Sequence, residues 1–450
     1  DYRPSADYTN AWNEIYTTDY DSTASRVDFA LQLVAQRHAF ALVGLCFQDQ
    51  KPGGITATTS SVANVSMMPA HAAALESGMN LFAAQFNRPE LTNAPIATYG
   101  FSGGSGFTAY YAAYNPGRCI AFAHNKGGSI GDYDPVFMEA AEQVPAMLCY
   151  GEIDTTDRID TINTVFTYHR AKGAPWALIP DYGLGHDSQG YGRFLGAAFL
   201  DRVIEMRMPR DWMPGGAAPV LRPLAEDSGW LGDNTTWESN SSTIISFAAS
   251  AAALSEKRAM SWLPDRYLAE AWRSVTTHFP PVKLSSPLSA LVTTRPKQLA
   301  YLLAGAGQSM TLNATSGSVS SVDWKNGDVL LRTESNAPFS TTLSAVTGGV
   351  HLIHGELQMT SGSSRPSDLA ILLVKLPANQ TPAILSGPAV AGAPTSGVPV
   401  SCSVRAGDPD GGIEELLAYT WSATGPGTVV FGSGNGSNAG KDISAIFPVD

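Results

Sequence analysis

The sequence predicts a multidomain chain, with a doubly wound α/β domain followed by all-β sandwich modules. Three observations predict it. Helix and strand signals alternate from residue 25 to about residue 210, and the strands are apolar runs, the pattern of a parallel sheet covered on both faces. From Leu284 onward, short alternating strands are punctuated by turn residues, the pattern of a sandwich. At 450 residues the chain exceeds what a single core fills, so several domains are expected.

The elements follow in order. Ser25–Arg37 has helical spacing, with Val27, Ala30, Leu31 and Val34 at i, i+3, i+4 and i+7. Phe40–Cys46 reads as a buried strand, and Ala70–Asn87 as a second amphipathic helix carrying Leu75, Met79, Leu81, Phe82 and Phe86. A strand over Ile96–Tyr99 runs into a glycine-rich turn and a helix that Asn115-Pro116 stops near Tyr114. Strands are expected over Cys119–His124, Ala146–Tyr150 and Trp176–Pro180, with helices across Asp160–Lys172 and Gly192–Arg207. These elements place the first domain at residues 1–210. Residues 1–24 are polar and aromatic with little strand pattern, so the first strands of such a domain are expected upstream or missing.

Residues 211–283 are less regular. Trp212, Trp230, Trp237, Trp262 and Trp272 mark them as a connector that packs back on the first domain. Residues 284–376 carry the run of short strands that predicts the sandwich, from Gln298–Leu303 to Ser367–Lys375. Pro377–Pro382 reads as a linker. Residues 383–450 begin a second β module, which ends about where further strands would be expected.

Composition narrows the function. Apolar residues make up 44% and charged residues only 15%, with 43 glycines and 29 prolines, a balance that suits a sheet-rich secreted or cell-surface protein. The net charge of −12, without a Lys/Arg-rich run, argues against a nucleic-acid partner. No apolar stretch is long enough to span a membrane. The chain opens on Asp1-Tyr2-Arg3-Pro4 without a signal peptide, as a mature or trimmed form would, so this opening says little about secretion. Cys46, Cys119, Cys149 and Cys402 have neither metal-ligand nor disulfide spacing and read as isolated buried thiols.

The chemistry centres on residues 96–106, IATYGFSGGSG. Strand, Gly100-Phe101-Ser102-Gly103-Gly104 and helix follow one another in the G-x-S-x-G nucleophile-elbow order. The turn is tight enough to require small residues two before and two after the serine. It leaves the Ser102 hydroxyl at a helix N-terminus, where backbone N–H groups meet developing negative charge. Ser105 sits in a second such pattern but falls inside the helix. A serine nucleophile needs a base and an acid that orients it, in the chain order Ser, Asp/Glu, His on a doubly wound scaffold. Asp154 ends the strand Ala146–Tyr150, with Glu152 and Asp157 as competitors, and His186 sits in the glycine-rich loop after Trp176–Pro180. The Gly103 N–H is the expected first oxyanion donor and Phe47, after an earlier strand, the second. Gln48 and His124 are expected to line the pocket. His38, His71, His169, His278, His351 and His354 read as structural or solvated.

On Gly100–Gly104, Asn115-Pro116-Gly117-Arg118, Val144-Pro145-Ala146, Gly151–Asp154 and Gly185-His186, residues 25–207 resemble the α/β-hydrolase superfamily. The likeness is to the secreted branch related to polyhydroxybutyrate depolymerases and feruloyl or acetylxylan esterases. The resemblance implies Ser102 as nucleophile, His186 as base and Asp154 as acid of an ester hydrolase, without cofactor or metal. The acidic, Trp-rich chain with β modules suggests, by analogy, a polysaccharide or polyester context, and the sequence does not name the acyl or alcohol group. From Thr381, Ala406–Gly412 with Tyr419–Ser422 resembles a PKD or cadherin-like module, and residues 284–376 an Ig-like sandwich. Such modules are typical of bacterial extracellular proteins, and here they are expected to serve as a spacer or in association with surfaces, polymers or sister chains. Asp408, Asp410 and Gly411-Gly412 read as an ordinary turn without a tightly bound metal, because two carboxylates fall well short of a calcium shell. Two other readings stay open: a structural or adhesive surface protein with an idle hydrolase scaffold, and a serine peptidase. Reaction with a serine-directed phosphonate separates the first from the enzymes, and ester against amide turnover separates the enzymes.

Overall fold

The computed structural model describes residues 25–38, 40–44, 68–127, 138–186, 190–209, 217–237, 241–277, 283–285, 299–303, 310–315, 318–343, 346–375, 381–407, 414, 417–425 and 427–448. It holds an α/β region with a parallel four-stranded sheet and several sheets built mainly from antiparallel pairs.

The first part runs α1 (Ser25–Arg37), α2 (Met68–Gln85), β1 (Ile96–Phe101), α3 (Gly103–Tyr114), β2 (Cys119–Asn125), β3 (Ala146–Gly151), α4 (Thr156–Ala171), β4 (Trp176–Asp181) and α5 (Tyr191–Arg207). The sheet order is β1-β2-β3-β4, all parallel. Every residue of β2 and β4 is buried, because helices cover both faces. On one face, Leu75, Phe107, Tyr111, Ile162 and Phe166 of α2, α3 and α4 form a core with Phe122, Leu148 and Leu178. On the other, Leu33 of α1 and Phe194, Phe199 and Val203 of α5 pack on Ile120, Met147 and Ile179.

Residues 40–44 do not form the expected strand. They carry no regular structure, and β1 is the terminal strand of the sheet among the described residues. An apolar cavity of about 350 Å³ is lined by Phe40 and Val43 together with Ala97, Tyr99 and Phe107 among others.

A three-stranded antiparallel sheet follows, β5 (Trp230–Gly232), β6 (Ile244–Ser246) and β7 (Ser261–Leu263), with α6 (Arg266–Thr276) after it. It covers the outer edge of β4. The Leu178 N–H donates to Ser261 Oγ at 3.0 Å, and Trp272 Nε1 donates to the Leu178 carbonyl at 2.9 Å.

The next strands are β8 (Lys283–Ser285), β9 (Leu299–Leu303), β10 (Met310–Thr315), β11 (Val319–Asn326), β12 (Val329–Glu334), β13 (Thr341–Leu343), β14 (Gly349–Met359), β15 (Ser364–Pro366) and β16 (Ala370–Val374). The main sheet, β12-β11-β14-β16-β9, has β15 on β14, and β9 lies parallel to β16. β16 is buried throughout: Ile371 and Leu373 face the core under α1, α5 and α6, and Leu372 and Val374 face the core around Trp324. The last sheet joins β17 (Ala383–Val390), β18 (Pro399–Gly407), β20 (Asp442–Ile446) and β19 (Val430–Phe431). No helix among the described residues is long and apolar enough to cross a membrane.

Candidate active site

Three strand tips build the site. Parallel pairing sets Gly100 beside His124 and Phe101 beside Asn125, and the Ser102 N–H donates to the Asn125 carbonyl at 2.9 Å. Ser102 is then held at φ 55°, ψ −124°, outside the usual regions for a residue with a side chain, at a cost on the order of 1–3 kcal/mol. The expected need for small neighbours holds on one side. A Cβ at Gly100 would overlap the Gly104 carbonyl, whereas a Cβ at Gly104 would meet nothing within 4 Å among the described residues. Gly103 is the first residue of α3, so its N–H sits at the helix N-terminus beside the serine. Ser105 is buried inside α3, its hydroxyl turned back to the Ser102 carbonyl.

The candidate base and acid, His186 and Asp154, lie on the loops after β4 and β3. His186 Nε2 lies 2.8 Å from Ser102 Oγ, and His186 Nδ1 lies 2.9 Å from Asp154 Oδ2. The other Asp154 oxygen accepts the Thr155 N–H at 2.7 Å and Arg158 Nη1 at 2.8 Å. Burial works to raise the Asp154 carboxyl; the Thr155 N–H, the His186 ring and Arg158 outweigh it and hold the group below its ordinary value. An ionised Asp154 keeps the proton on Nδ1 and leaves the Nε2 lone pair facing Ser102. The competitors point elsewhere: Glu152 accepts the Gly183 N–H, and Asp157 is exposed in the first turn of α4. The Phe101 ring lies 5.2 Å from the His186 ring.

The two loops brace each other. The Glu152 N–H donates to the Asp181 carbonyl at 3.1 Å and the Ile153 N–H to the Leu184 carbonyl at 3.0 Å. A side chain at Gly151 would run into the Leu184 and Gly185 carbonyls, so glycine is required there.

Under the loops lies an ion pair that sequence reasoning missed. Lys126 Nζ sits 3.0 Å from Asp181 Oδ2, and both side chains are fully buried. Asp181 also accepts the Gly192 N–H at 3.0 Å and the Cys149 thiol at 3.3 Å. The pair ties the tip of β2, which holds Ser102 through Asn125, to the start of the His186 loop. Lysine is ordinarily exposed, so nothing in the local pattern marks Lys126; Asp181, at a strand end before a glycine-rich loop, carries a faint mark.

His124 is 1% exposed, not open to a pocket surface, and its Nε2 faces Gly127 beside the elbow. Neither ring nitrogen has a partner among the described residues, and burial pushes its pKa down to about 4. Phe47 and Gln48 lie outside the described residues, as do Asp408, Asp410, Gly411 and Gly412. Cys119, Cys149 and Cys402 are buried thiols.

No protein-family model matches the chain, and no curated protein matches it. Among solved structures, esterase PE8 is 22% identical over 32% of this chain and 66% of its own, with a TM-score of 0.27. SOBER1 of Arabidopsis thaliana is 17% identical over 31% of this chain and 65% of its own, with a TM-score of 0.25. Fibronectin(III)-like modules of Clostridium thermocellum CbhA are 24% identical over 21% of this chain and 94% of their own, at 0.17. The chain thus spans just under two thirds of PE8 and of SOBER1. Likenesses this loose carry no argument about its chemistry, which rests on the geometry of its own residues.

Proposed function

We propose that the chain is a serine carboxylic ester hydrolase of α/β-hydrolase type, working outside the cell and carried with β modules. One observation supports this best: the unbroken hydrogen-bonded series Ser102–His186–Asp154 across three parallel-strand tips, where such sheets gather reactive groups. In this reading Ser102 Oγ attacks the ester carbonyl while His186 Nε2 takes its proton. The oxyanion is held by the Gly103 N–H and a second donor from the Phe47 loop. Collapse expels the alcohol, which takes the proton from His186. Water, deprotonated by His186, then releases the acid from Ser102. Asp154 orients the imidazole throughout.

The test pairs labelling with turnover. A fluorophosphonate should modify Ser102 in the full chain, and short p-nitrophenyl esters should be hydrolysed faster than the matching anilides. Ser102→Ala should lose labelling and at least about 10⁴-fold of turnover with an unchanged circular dichroism spectrum. Equal turnover by both proteins, or no labelling of the wild type, would sink the proposal.

A further inference from the structure

A second cluster of chemistry-bearing groups lies away from the triad, where α6 meets β14. The helix is seated on the sheet through polar contacts. Tyr267 donates to Asn326 Oδ1 at 2.8 Å, and Arg273 reaches Glu356 with Nη1 at 2.7 Å and Nη2 at 3.2 Å. Inside this seam, Glu270, His354 and Glu356 are 4%, 0% and 6% exposed. One ligand-type atom from each lies within 4.8 Å of the other two. His354 and Glu356 are alternate residues of one strand and so project from one face, while Glu270 comes from the helix packed against it.

The carboxylates have partners. Arg273 bonds Glu356 and approaches Glu270 Oε2 at 3.5 Å, Arg266 reaches Glu270 Oε1 at 3.3 Å from an exposed position, and Ser364 bonds Glu356. The imidazole has none: neither nitrogen of His354 meets a hydrogen-bond partner among the described residues. A neutral ring carries one N–H donor and one lone pair, and burying both unused is costly. Buried polar groups in folded proteins are otherwise almost always paired, so an orphan beside two buried carboxylates marks a place where something binds.

We propose that Glu270, His354 and Glu356 bind one divalent cation of the zinc class at the seam between α6 and β14. An imidazole nitrogen with two carboxylate oxygens suits zinc and its first-row neighbours; calcium takes six to eight oxygens, which this cluster does not supply. Ligands about 2.1 Å from a tetrahedral ion sit roughly 3.4 Å apart, so the cluster must tighten modestly, within reach of glutamate side-chain rotation. Two carboxylates balance a divalent charge. Arg273 need not stay between them, since it also donates to Ser241 Oγ at 3.1 Å and to the Ser242 carbonyl at 3.2 Å. The ion would cross-link helix and sheet, as structural sites do. This assignment stands apart from the reading of the Ser102 site.

The experiment uses the full chain, stripped with chelator and desalted, then titrated separately with Zn²⁺, Mn²⁺ and Ca²⁺. Bound metal per chain, calorimetric affinity and melting temperature are the readouts. One equivalent of Zn²⁺ should be retained and should raise the melting temperature, with Ca²⁺ bound at least about tenfold more weakly. His354→Gln and Glu270→Gln should each weaken Zn²⁺ binding by about 10–100-fold. The two variants lie on different elements, so misfolding of one leaves the other decisive. Failure of the wild type to retain Zn²⁺, equal retention by both variants, or Ca²⁺ binding as tight as Zn²⁺ would overturn the assignment.

Discussion

The parallel sheet and the last β unit treat their strands in opposite ways. β2 and β4 are buried at every residue, whereas β17 is exposed along all of its length. The last unit's core gathers around Val400, Cys402, Ile443 and Ala445, and among the described residues its four strands pair only with one another. A change at a tip of the parallel sheet therefore reaches Ser102, His186 and Asp154 through backbone bonds and buried charge. Among the described residues, a change in the last unit has no such route through strand pairing.

The largest expected effect tests the buried pair under the site. Lys126→Met leaves Asp181 buried without its cation, and the cost should be about 3–5 kcal/mol in urea unfolding. Adding Asp181→Leu should recover part of that loss, since removing both charges removes the unpaired one. A single variant as stable as the wild type would show that the strand tips are not bound together by this pair.

A smaller effect concerns pH. Burial lowers the His124 pKa from 6.5 to about 4, so the unfolded chain binds this proton first as pH falls. His124 should cost no stability above pH 6.5, and roughly 3 kcal/mol should be lost progressively between pH 6.5 and 4. Unfolding of the wild type and His124→Leu at pH 7.5 and 4.5 measures this. Equal pH slopes for the two proteins would remove His124 from the account.

The smallest effect sharpens the contrast from the other side. Ending the chain at residue 380 should leave small-ester turnover within about twofold, as expected for sites without shared partners. Attachment to polymers, surfaces or sister chains is the property that should change. A large loss of turnover in the shortened chain would mean that the last unit supports the site after all.

Much of the α/β region was legible because its signals are local. Apolar runs ended at turn residues marked β1 to β4, and the observed strands differ from those runs by a residue or two at their ends. The strand–glycine–serine–glycine–helix order singled out Ser102 as a candidate, and chain order with strand-end position singled out Asp154 and His186; the His186 side chain lies within hydrogen-bond reach of both of the others. Local pattern failed where neighbours distant in sequence decide. Residues 40–44 are apolar enough for a strand but line a cavity beside β1 instead of pairing with it. His124 has the position of a pocket residue and is sealed under the elbow.

By itself, then, the sequence determined the order of helices and strands, the strained serine turn and the three residue types a triad needs, because each depends on spacing along one stretch of chain. Tertiary structure alone decided which polar groups lose water and what they meet there. Lys126 finds Asp181 55 positions away across β3, and Glu270 finds His354 and Glu356 across the seam. Burial raises the cost of an unpaired charge or imidazole far above its value at the surface. That cost depends on packing in three dimensions, and no periodicity in the chain encodes it.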